Sequence, residues 1–220
     1  MIEREAMYKI TYGLFVVTTR DGEKQNGCIV NTVSMLTDNP KRIVVFVNKA
    51  NYTEELLRKT GNFNVSILTE SAPFEIFKQF GFCSGRDTDK FAGESYPKTA
   101  NGIYYIDKHT NAVLSARVIN AIDYGTHTLF VAEVTGAKTL SGEKSVTYEY
   151  YQNYIKPQTP KAPLKEEKKD ANGAETTETG ETKHKWVCKI CGYVHEGEEL
   201  PDDFVCPWCK HPAEDFEQIS

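Results

Sequence analysis

Residues 12–33 read YGLFVVTTRDGEKQNGCIVNTV, and this stretch decides the fold class. Its two halves are rich in aromatic and β-branched side chains, which is the composition of strands. Asp21-Gly22 lies between them and is typical of a hairpin turn. The stretch therefore predicts two antiparallel strands, Tyr12–Thr19 and Gly27–Val33.

The following residues up to 155 continue this pattern, with glycines between the apolar runs. Further strands are predicted at Ile43–Val47, Phe63–Leu68, Ala116–Ile122 and Thr128–Val134. Two helices are predicted between them, at Tyr52–Lys59, with Asn51 or Thr53 as N-cap, and at Pro73–Phe80. Six or seven short strands with few helices predict a β-barrel or sandwich.

Composition excludes several classes of protein. The chain has 220 residues, 40% of them hydrophobic, and a formal net charge of −5. No apolar run exceeds about five residues, whereas a membrane-spanning helix needs about 20. The acidic N-terminus lacks the apolar core of a secretory signal, so we expect a cytoplasmic protein. The negative charge argues against general nucleic-acid binding.

A change in composition divides the chain. Residues 156–184 contain three prolines and twelve charged residues but no aromatic residue. Such a segment cannot bury enough apolar surface to offset its ordering entropy, so it is predicted to be a flexible linker. A surface helix around Leu164–Lys169 is the alternative, and it would still act as a linker. The predicted domains are therefore residues 1–155 and 185–220.

The last 36 residues contain four of the six cysteines, as two Cys-x-x-Cys pairs. Two such pairs facing each other supply four thiolates in a tetrahedral arrangement. Two disulfides are the alternative, which the missing secretory signal disfavours. The predicted metal ligands are Cys188, Cys191, Cys206 and Cys209.

Geometry alone leaves both zinc and iron open at this site. A structural zinc ribbon is the simpler interpretation. The aromatic residues nearby favour iron, because they can wrap an iron–thiolate centre in apolar surface and tune it. They are Trp186, Tyr193, Phe204, Trp208 and Phe216.

The tail also resembles a rubredoxin from Lys185 to Ile219. The resemblance rests on the cysteine pairs, Gly192-Tyr193, Pro201, Pro207 and Pro212–Phe216. Fourteen residues separate the pairs, which is short for a rubredoxin and similar to the tail of rubrerythrins. Lys210 replaces the glycine usual after the fourth cysteine. The resemblance implies one iron, with zinc possible by substitution.

The first domain lacks a Gly-x-Gly-x-x-Gly fingerprint, so a flavin would have to bind to a β scaffold. Residues 48–53 read NKANYT, directly before a predicted helix. Lys49 supplies a positive charge, and Asn51 and Thr53 offer hydrogen bonds beside free N–H groups, which is a plausible phosphate site. An ordinary N-cap with a surface lysine is the alternative.

Residues 5–155 resemble the flavin reductase-like, FMN-binding split-barrel family. The matching stretches include Gly27–Ser34, Asn48-Lys49, Ser84–Phe91 and His127–Glu133, and their order and spacing together are specific. The domain order resembles the high-molecular-weight rubredoxins, in which FMN lies at a homodimer interface. The fold class implied is mainly β, an FMN-binding split barrel plus a small rubredoxin-like metal-binding domain.

This resemblance implies a set of FMN contacts. The residues implied to line the isoalloxazine and ribityl chain are Asn31, Thr32, Val33 and Ser34. Those implied at the phosphate are Asn48, Lys49 and Thr53. Those implied to close over the phosphate and ring edge are Ser84, Gly85, Arg86 and Lys90. His127 is implied to face the reactive edge or the nicotinamide; a strand histidine bonded to a carbonyl is the alternative.

Together these features predict an electron-transfer flavoprotein. NAD(P)H would reduce FMN, the electrons would pass to the rubredoxin iron, and an acceptor protein such as a flavodiiron oxygen or nitric oxide reductase would receive them. One alternative is a flavin or ferric reductase with an accessory tail. Another is a flavin-binding module with a structural zinc ribbon.

Overall fold

The structure is a computed structural model that describes residues 3–7, 9–157, 184–188, 193–197, 199–207 and 212–219. It divides into two compact units, Met1–Lys156 and Pro157–Ser220. Most of the predicted linker, residues 158–183, lies outside the described residues. Within the described ranges, no helix is both long enough and apolar enough to span a membrane.

The first unit is a single antiparallel sheet with short helices. Its strands are β1 (Phe15–Asp21), β2 (Lys24–Val30), β3 (Val33–Thr37), β4 (Arg42–Asn48), β5 (Asn62–Leu68), β6 (Thr110–Asp123) and β7 (His127–Thr139). Its helices are α1 (Arg4–Met7), α2 (Tyr52–Thr60), α3 (Phe74–Phe77) and α4 (Tyr148–Tyr150), with π-helical turns at Lys78–Phe82 and Tyr151–Ile155. The strand order is β2-β1-β5-β6-β7-β4-β3.

The sheet curls around its core. Cys28 on β2 and Val45 on β4 stand far apart in the strand order, yet they share one buried cluster with Phe63 and Phe130. That is possible only if the sheet folds back on itself. A second cluster on the other side of β1 and β2 includes Phe80, which belongs to the first π-helical turn. The prediction of a mainly β, barrel-like fold is confirmed.

The hairpin predicted at Asp21-Gly22 is present. β1 and β2 pair from Phe15↔Val30 to Asp21↔Lys24, and Gly22 takes a positive φ of 57° that favours glycine. The predicted second strand, however, is not continuous to Val33. It ends at Val30, and the chain bends through residues 31 and 32 into β3, which pairs with β4 instead.

Helix α2 begins and ends close to the predicted residues. Asn51 is the N-cap, but its side chain makes no capping hydrogen bond. Gly61 adopts the left-handed conformation (φ 68°) and donates its N–H to the Leu57 carbonyl, which closes the helix. The helix predicted at Pro73–Phe80 is instead a four-residue α-helix followed by a π-helical turn.

The second unit contains a small antiparallel sheet. Its strands β8 (His184–Cys188), β9 (Val194–Gly197) and β10 (Phe216–Gln218) are arranged in the order β10-β8-β9, with a 3₁₀ turn at Ala213–Asp215. Phe216 packs edge-on against Tyr193 and Phe204, with ring centroids 6.5 and 5.3 Å apart. This aromatic cluster supplies the core of the unit.

Candidate functional site

A cavity of about 420 Å³ opens where β4 ends and α2 begins, and we call it the sheet-end cavity. Its volume lies within the range of small-molecule sites. It brings together four residues of the predicted FMN site, from three separate parts of the sequence. The lining residues are Tyr12, Ile29, Val30, Asn31, Thr32, Phe46, Asn48, Asn51 and His127.

The sheet register places Asn48 beside His127. The two residues are paired across β4 and β7, so their side chains lie on the same face. The Asn48 carbonyl accepts the Asn51 N–H at 2.9 Å, and its side-chain Oδ1 accepts the Ala50 N–H at 2.9 Å. This tight turn holds the start of α2 against the cavity.

His127 is half-buried at the first position of β7. Its Nδ1 lies 2.9 Å from the Thr126 hydroxyl, so a neighbouring side chain orients the ring. The imidazole therefore borders the cavity with its orientation fixed by a hydrogen bond.

The residues predicted to line the flavin ring divide at the bend after β2. Asn31 and Thr32 line the sheet-end cavity, and the Thr32 hydroxyl donates to the Phe46 carbonyl at 3.1 Å. Val33 packs against the barrel core, while Ser34 is exposed on β3. Asn31 and Thr32 thus line the cavity, whereas Val33 and Ser34 do not.

Lys49 lies beside the cavity but is engaged elsewhere. Its Nζ lies 2.6 Å from an Asp123 carboxylate oxygen, and this contact lowers the pKa of Asp123. The side chain is 39% exposed. A phosphate group would therefore have to compete with Asp123 for the lysine.

Thr53, predicted at the phosphate, has its side chain inside the barrel and does not line the sheet-end cavity. Its side chain is only 1% exposed, and its Oγ1 accepts a hydrogen bond from Asn26 Nδ2 at 3.0 Å. It also bonds to the Cys28 thiol, although burial is the larger influence and raises the pKa of that thiol. The Thr53 hydroxyl therefore joins α2 to β2 inside the barrel.

The segment from Ser84 to Lys90 does not line the sheet-end cavity. Gly85 packs so closely on Asn26 that an added Cβ would lie 2.0 Å from its Oδ1. The guanidinium of Arg86 pairs with Glu55 at 2.8 Å. The hydroxyl of Ser84 accepts the Arg86 N–H at 3.2 Å, so it stabilises its own turn.

Lys90 is buried, with 5% of its surface exposed. Its Nζ donates to the Gly27 carbonyl at 2.9 Å and to the Phe80 carbonyl at 3.3 Å. Burial lowers the pKa of this lysine, with the nearby Cys28 and Cys83 opposing the effect. Lys90 therefore connects β2 to the π-helical turn and does not border an open site.

Four lining residues were not named in any predicted site: Tyr12, Ile29, Val30 and Phe46. Phe46 could have been found, because Ile43, Val45 and Val47 alternate with it along β4 and point into the core. A phenylalanine on the outward positions of such a strand indicates a binding or contact surface. Tyr12 and Asn31 also border a neighbouring cavity of about 640 Å³ that includes Tyr148.

The second unit supplies the candidate metal centre. Cys188 is 1% exposed at the end of β8, and Cys206 is fully buried. The Cys188 N–H donates to the Tyr193 carbonyl at 2.8 Å, which joins the end of β8 to the residue before β9. Cys191 and Cys209 lie outside the described residues. Two buried thiols in one small unit are compatible with a metal–thiolate site.

Family models match both units. The model described as flavin reductase like domain matches residues 7–157. The model described as rubrerythrin, rubredoxin-like domain matches residues 186–217. The two matches cover the sheet-end cavity and the candidate metal centre, respectively.

Individual similar proteins agree with these two family matches. A high molecular weight rubredoxin of Moorella thermoacetica is 36% identical over 234 aligned residues, covering 99% of this chain and 100% of that protein. An Archaeoglobus fulgidus ferric-chelate reductase (NAD(P)H) is 39% identical over 157 residues, covering 71% of this chain and 93% of that protein. The solved structure of a Streptomyces globisporus NADH:FAD oxidoreductase has the same fold, with a TM-score of 0.58 at 20% identity over 66% of this chain and 85% of that one.

Proposed function

The chain belongs to the flavin reductase-like domain family and, over its whole length, to the high molecular weight rubredoxins, and we propose that it passes electrons from NAD(P)H through FMN and a rubredoxin iron to an acceptor protein. Bound flavin would accept a hydride and release single electrons, and iron held by four thiolates would carry one electron at a time. The observation that carries this proposal is the sheet-end cavity on a chain that also contains four paired cysteines.

The sheet-end cavity fits a flavin chemically. Phe46 and Ile29 offer apolar surface for a ring, while Asn31, Thr32 and Asn48 offer polar groups along one side. Asn51 leaves the start of α2 without a side-chain cap, so backbone N–H groups there are suited to an anionic phosphate. His127 would orient the ring or the nicotinamide by a hydrogen bond.

A four-thiolate iron site fits the second unit. The role of Cys188, Cys191, Cys206 and Cys209 would be to hold the metal, and that of Tyr193, Phe204 and Phe216 to limit access of water. Zinc satisfies the same donors but carries no electrons, so iron is the metal that gives this unit a role in the reaction.

A homodimer through the barrel is part of the proposal. Phe46, Leu129 and Ile122 are register partners on β4, β7 and β6, so they form one outward row. Phe46 is 36% exposed and Ile122 37% exposed. Because Phe46 also borders the cavity, a second copy packed on this row would cover the flavin site. Ile122→Glu should yield monomers that bind flavin more weakly, as measured by light scattering and flavin titration.

The test of the main proposal is anaerobic spectroscopy of the full chain loaded with FMN and iron. NADH or NADPH should bleach the flavin band and then the ferric–thiolate bands, and an added flavodiiron protein should restore both. The Cys206→Ser variant should lose only the iron bands. A wild-type chain that keeps its flavin oxidised in the presence of both nucleotides would disprove the proposal.

The ferric-chelate reductase similarity supports a second candidate function, in which the reduced flavin delivers electrons directly to a ferric chelate. The two functions differ in their need for the second unit. If Cys206→Ser reduces ferric citrate as fast as the wild type but no longer reduces the acceptor protein, both activities are present and separable. If neither rate changes, the tail is accessory.

A further inference from the structure

A set of polar side chains lies between α2 and β7, and we call it the Glu54 cluster: Glu54, Arg58 and Thr128. Glu54 is the third residue of α2 and is buried, with 5% of its surface exposed. Its Oε1 accepts hydrogen bonds from Arg58 Nη2 at 2.7 Å and Nε at 3.2 Å. The hydroxyl of the fully buried Thr128 donates to the same oxygen and accepts from Arg58 Nη2 at 2.8 Å. The three side chains therefore form a closed set of hydrogen bonds.

The Glu54 cluster joins two walls of the sheet-end cavity. On the helix side, the Glu54 N–H donates to the Asn51 carbonyl at 3.0 Å. On the strand side, Thr128 directly follows His127 in β7. Asn51 and His127 both line the cavity, although they come from different elements. The cluster therefore sets the position of the start of α2 relative to β7.

The charges at the start of α2 favour an anion only because arginines are present. A helix N-terminus attracts anions through its free N–H groups and the helix dipole, and a carboxylate in the first turn competes for that attraction. The first turn of α2 has two carboxylates, Glu54 and Glu55. Glu54 pairs with Arg58 at 2.7 Å, and Glu55 pairs with Arg86 at 2.8 Å. The first pair has the stronger influence, because Glu54 is buried and its charge is poorly screened by solvent.

Arg58 also acts on the acidic partner of Lys49. Lys49 Nζ lies 2.6 Å from an Asp123 carboxylate oxygen, and a phosphate that drew the lysine away would leave this carboxylate without it. The hydrogen bond from Lys49 is the main cause of the lowered pKa of Asp123, and the charge of Arg58 makes a smaller contribution. Arg58 is therefore placed to balance Asp123 once the lysine binds phosphate.

We propose that Arg58 is a positioning residue for the flavin phosphate. By neutralising Glu54 and balancing Asp123, it allows Lys49 and the start of α2 to hold an anionic group. Arg58 does not itself line the sheet-end cavity, so it acts through these neighbours. The inference rests on the proposed function, because it concerns the phosphate that FMN has and riboflavin lacks. The competing role is purely structural, in which the Glu54 cluster only holds α2 on β7.

The experiment compares the binding of FMN and riboflavin to the full chain by fluorescence titration. Arg58→Met keeps a long side chain but leaves the Glu54 carboxylate buried without its guanidinium partner. One charged interaction changes affinity by about tenfold or more, so the preference for FMN over riboflavin should fall by that factor. Arg58→Lys retains the positive charge and should retain the preference.

Three further variants separate charge from structure. Arg58→Met combined with Glu54→Gln removes the unpaired carboxylate and should restore most of the preference for FMN. Thr128→Val breaks hydrogen bonds of the cluster without altering its charge, so it should weaken the binding of both flavins by the same factor. The matched control is Lys59→Met, which removes a cation from the next position of α2, where it pairs with Asp21. The control should leave the preference unchanged.

An equal loss of FMN and riboflavin affinity in Arg58→Met would overturn the inference and assign the Glu54 cluster a structural role. A double variant with no more preference for FMN than Arg58→Met would also overturn it. So would a wild type that binds the two flavins equally, although electron transfer through a flavin held by its ring would still be possible. Bleaching of the bound flavin by NADH or NADPH tests the proposed function separately and does not depend on the phosphate.

Discussion

The two units of this chain differ in how far apart in the sequence their candidate site residues lie. In the second unit, the candidate metal ligands come in two short motifs, and Cys188 and Cys206 are both buried. In the first unit, the sheet-end cavity draws residues from β2, β4 and β7, from the bend after β2 and from the N-cap of α2. A metal site can be defined by local spacing, whereas a cavity on a sheet depends on how distant strands pair.

The largest expected effect is the loss of one cofactor without the other. Cys206→Ser should abolish iron binding, because a four-thiolate site loses a buried ligand, and the small second unit should unfold with it. The barrel has its own core and should keep its flavin. Iron content and flavin content, measured on the same sample, check this.

Cys83→Ser is the matched control for that experiment. Cys83 is half-buried in the first unit and belongs to neither cysteine pair. It should retain both iron and flavin. Loss of flavin from Cys206→Ser would mean that the two units depend on each other for stability.

The second effect concerns the buried lysine of the barrel. Lys90→Met leaves the carbonyls of Gly27 and Phe80 without this donor, so the free energy of unfolding should fall by about 1–3 kcal/mol. Lys41→Met, at an exposed ion pair, should change it by less than about 1 kcal/mol. Denaturant unfolding of the barrel measures both. Equal loss in the two variants would contradict the packing role of Lys90.

The pH dependence of the same variant gives a sharper test. Burial lowers the pKa of Lys90, so the native state releases this proton more readily than the unfolded chain. At neutral pH, burying the charged ammonium group lowers the free energy of unfolding. This penalty disappears as the pH rises through the pKa of Lys90 in the native state towards the ordinary lysine value. As the pH rises from the native pKa to the ordinary one, the free energy of unfolding of the wild type should increase relative to that of Lys90→Met, which cannot titrate at this position.

Lys90 and Thr53 also show where inference from the sequence stops. Both belong to stretches that resemble a cofactor site, and both side chains are turned into the protein. Their orientation depends on β2, which supplies Asn26 to Thr53 and the Gly27 carbonyl to Lys90. Such pairings between distant segments are set by tertiary packing, so a local pattern cannot reveal them.

The predicted strands agree well with those of the structure, because alternating and β-branched residues are a local signal. Even so, β6 is longer than predicted, Thr110–Asp123 rather than Ala116–Ile122. The bend at residues 31 and 32 was also missed, since β-branched Thr32 and Val33 extend the strand-like composition while the chain changes partner from β1 to β4. The bend matters because it delivers both side chains to the sheet-end cavity.

The third effect tests whether Lys49 recognises phosphate. Lys49→Ala should weaken FMN binding by about tenfold, the value of one charge-assisted hydrogen bond. Asp123→Asn should strengthen it, because the lysine loses the partner that competes with phosphate. Riboflavin has no phosphate and should be insensitive to both changes. Flavin titrations that show equal effects on FMN and riboflavin would exclude a phosphate role.

The last comparison is one of charge. Residues 1–155 contain 17 basic and 17 acidic side chains, whereas residues 185–220 contain 3 basic and 8 acidic ones. Glu196, Glu199, Asp202, Glu214 and Glu217 are all exposed on the described part of the second unit. The second unit therefore presents a negative surface to a partner, while the barrel has no net charge.

The smallest expected effect follows from this difference. Attraction between exposed charges weakens with salt, because the Debye length falls from about 10 Å at 0.1 M to about 3 Å at 1 M. Electron transfer from the second unit to a separate acceptor protein should therefore slow as salt rises. Transfer between the two units should change less, because one chain holds them together at high effective concentration. Stopped-flow reduction of flavin, iron and acceptor across a salt series measures all three rates. If the acceptor rate is constant while its binding is limiting, the acidic residues do not guide docking and serve only to keep the surface hydrated.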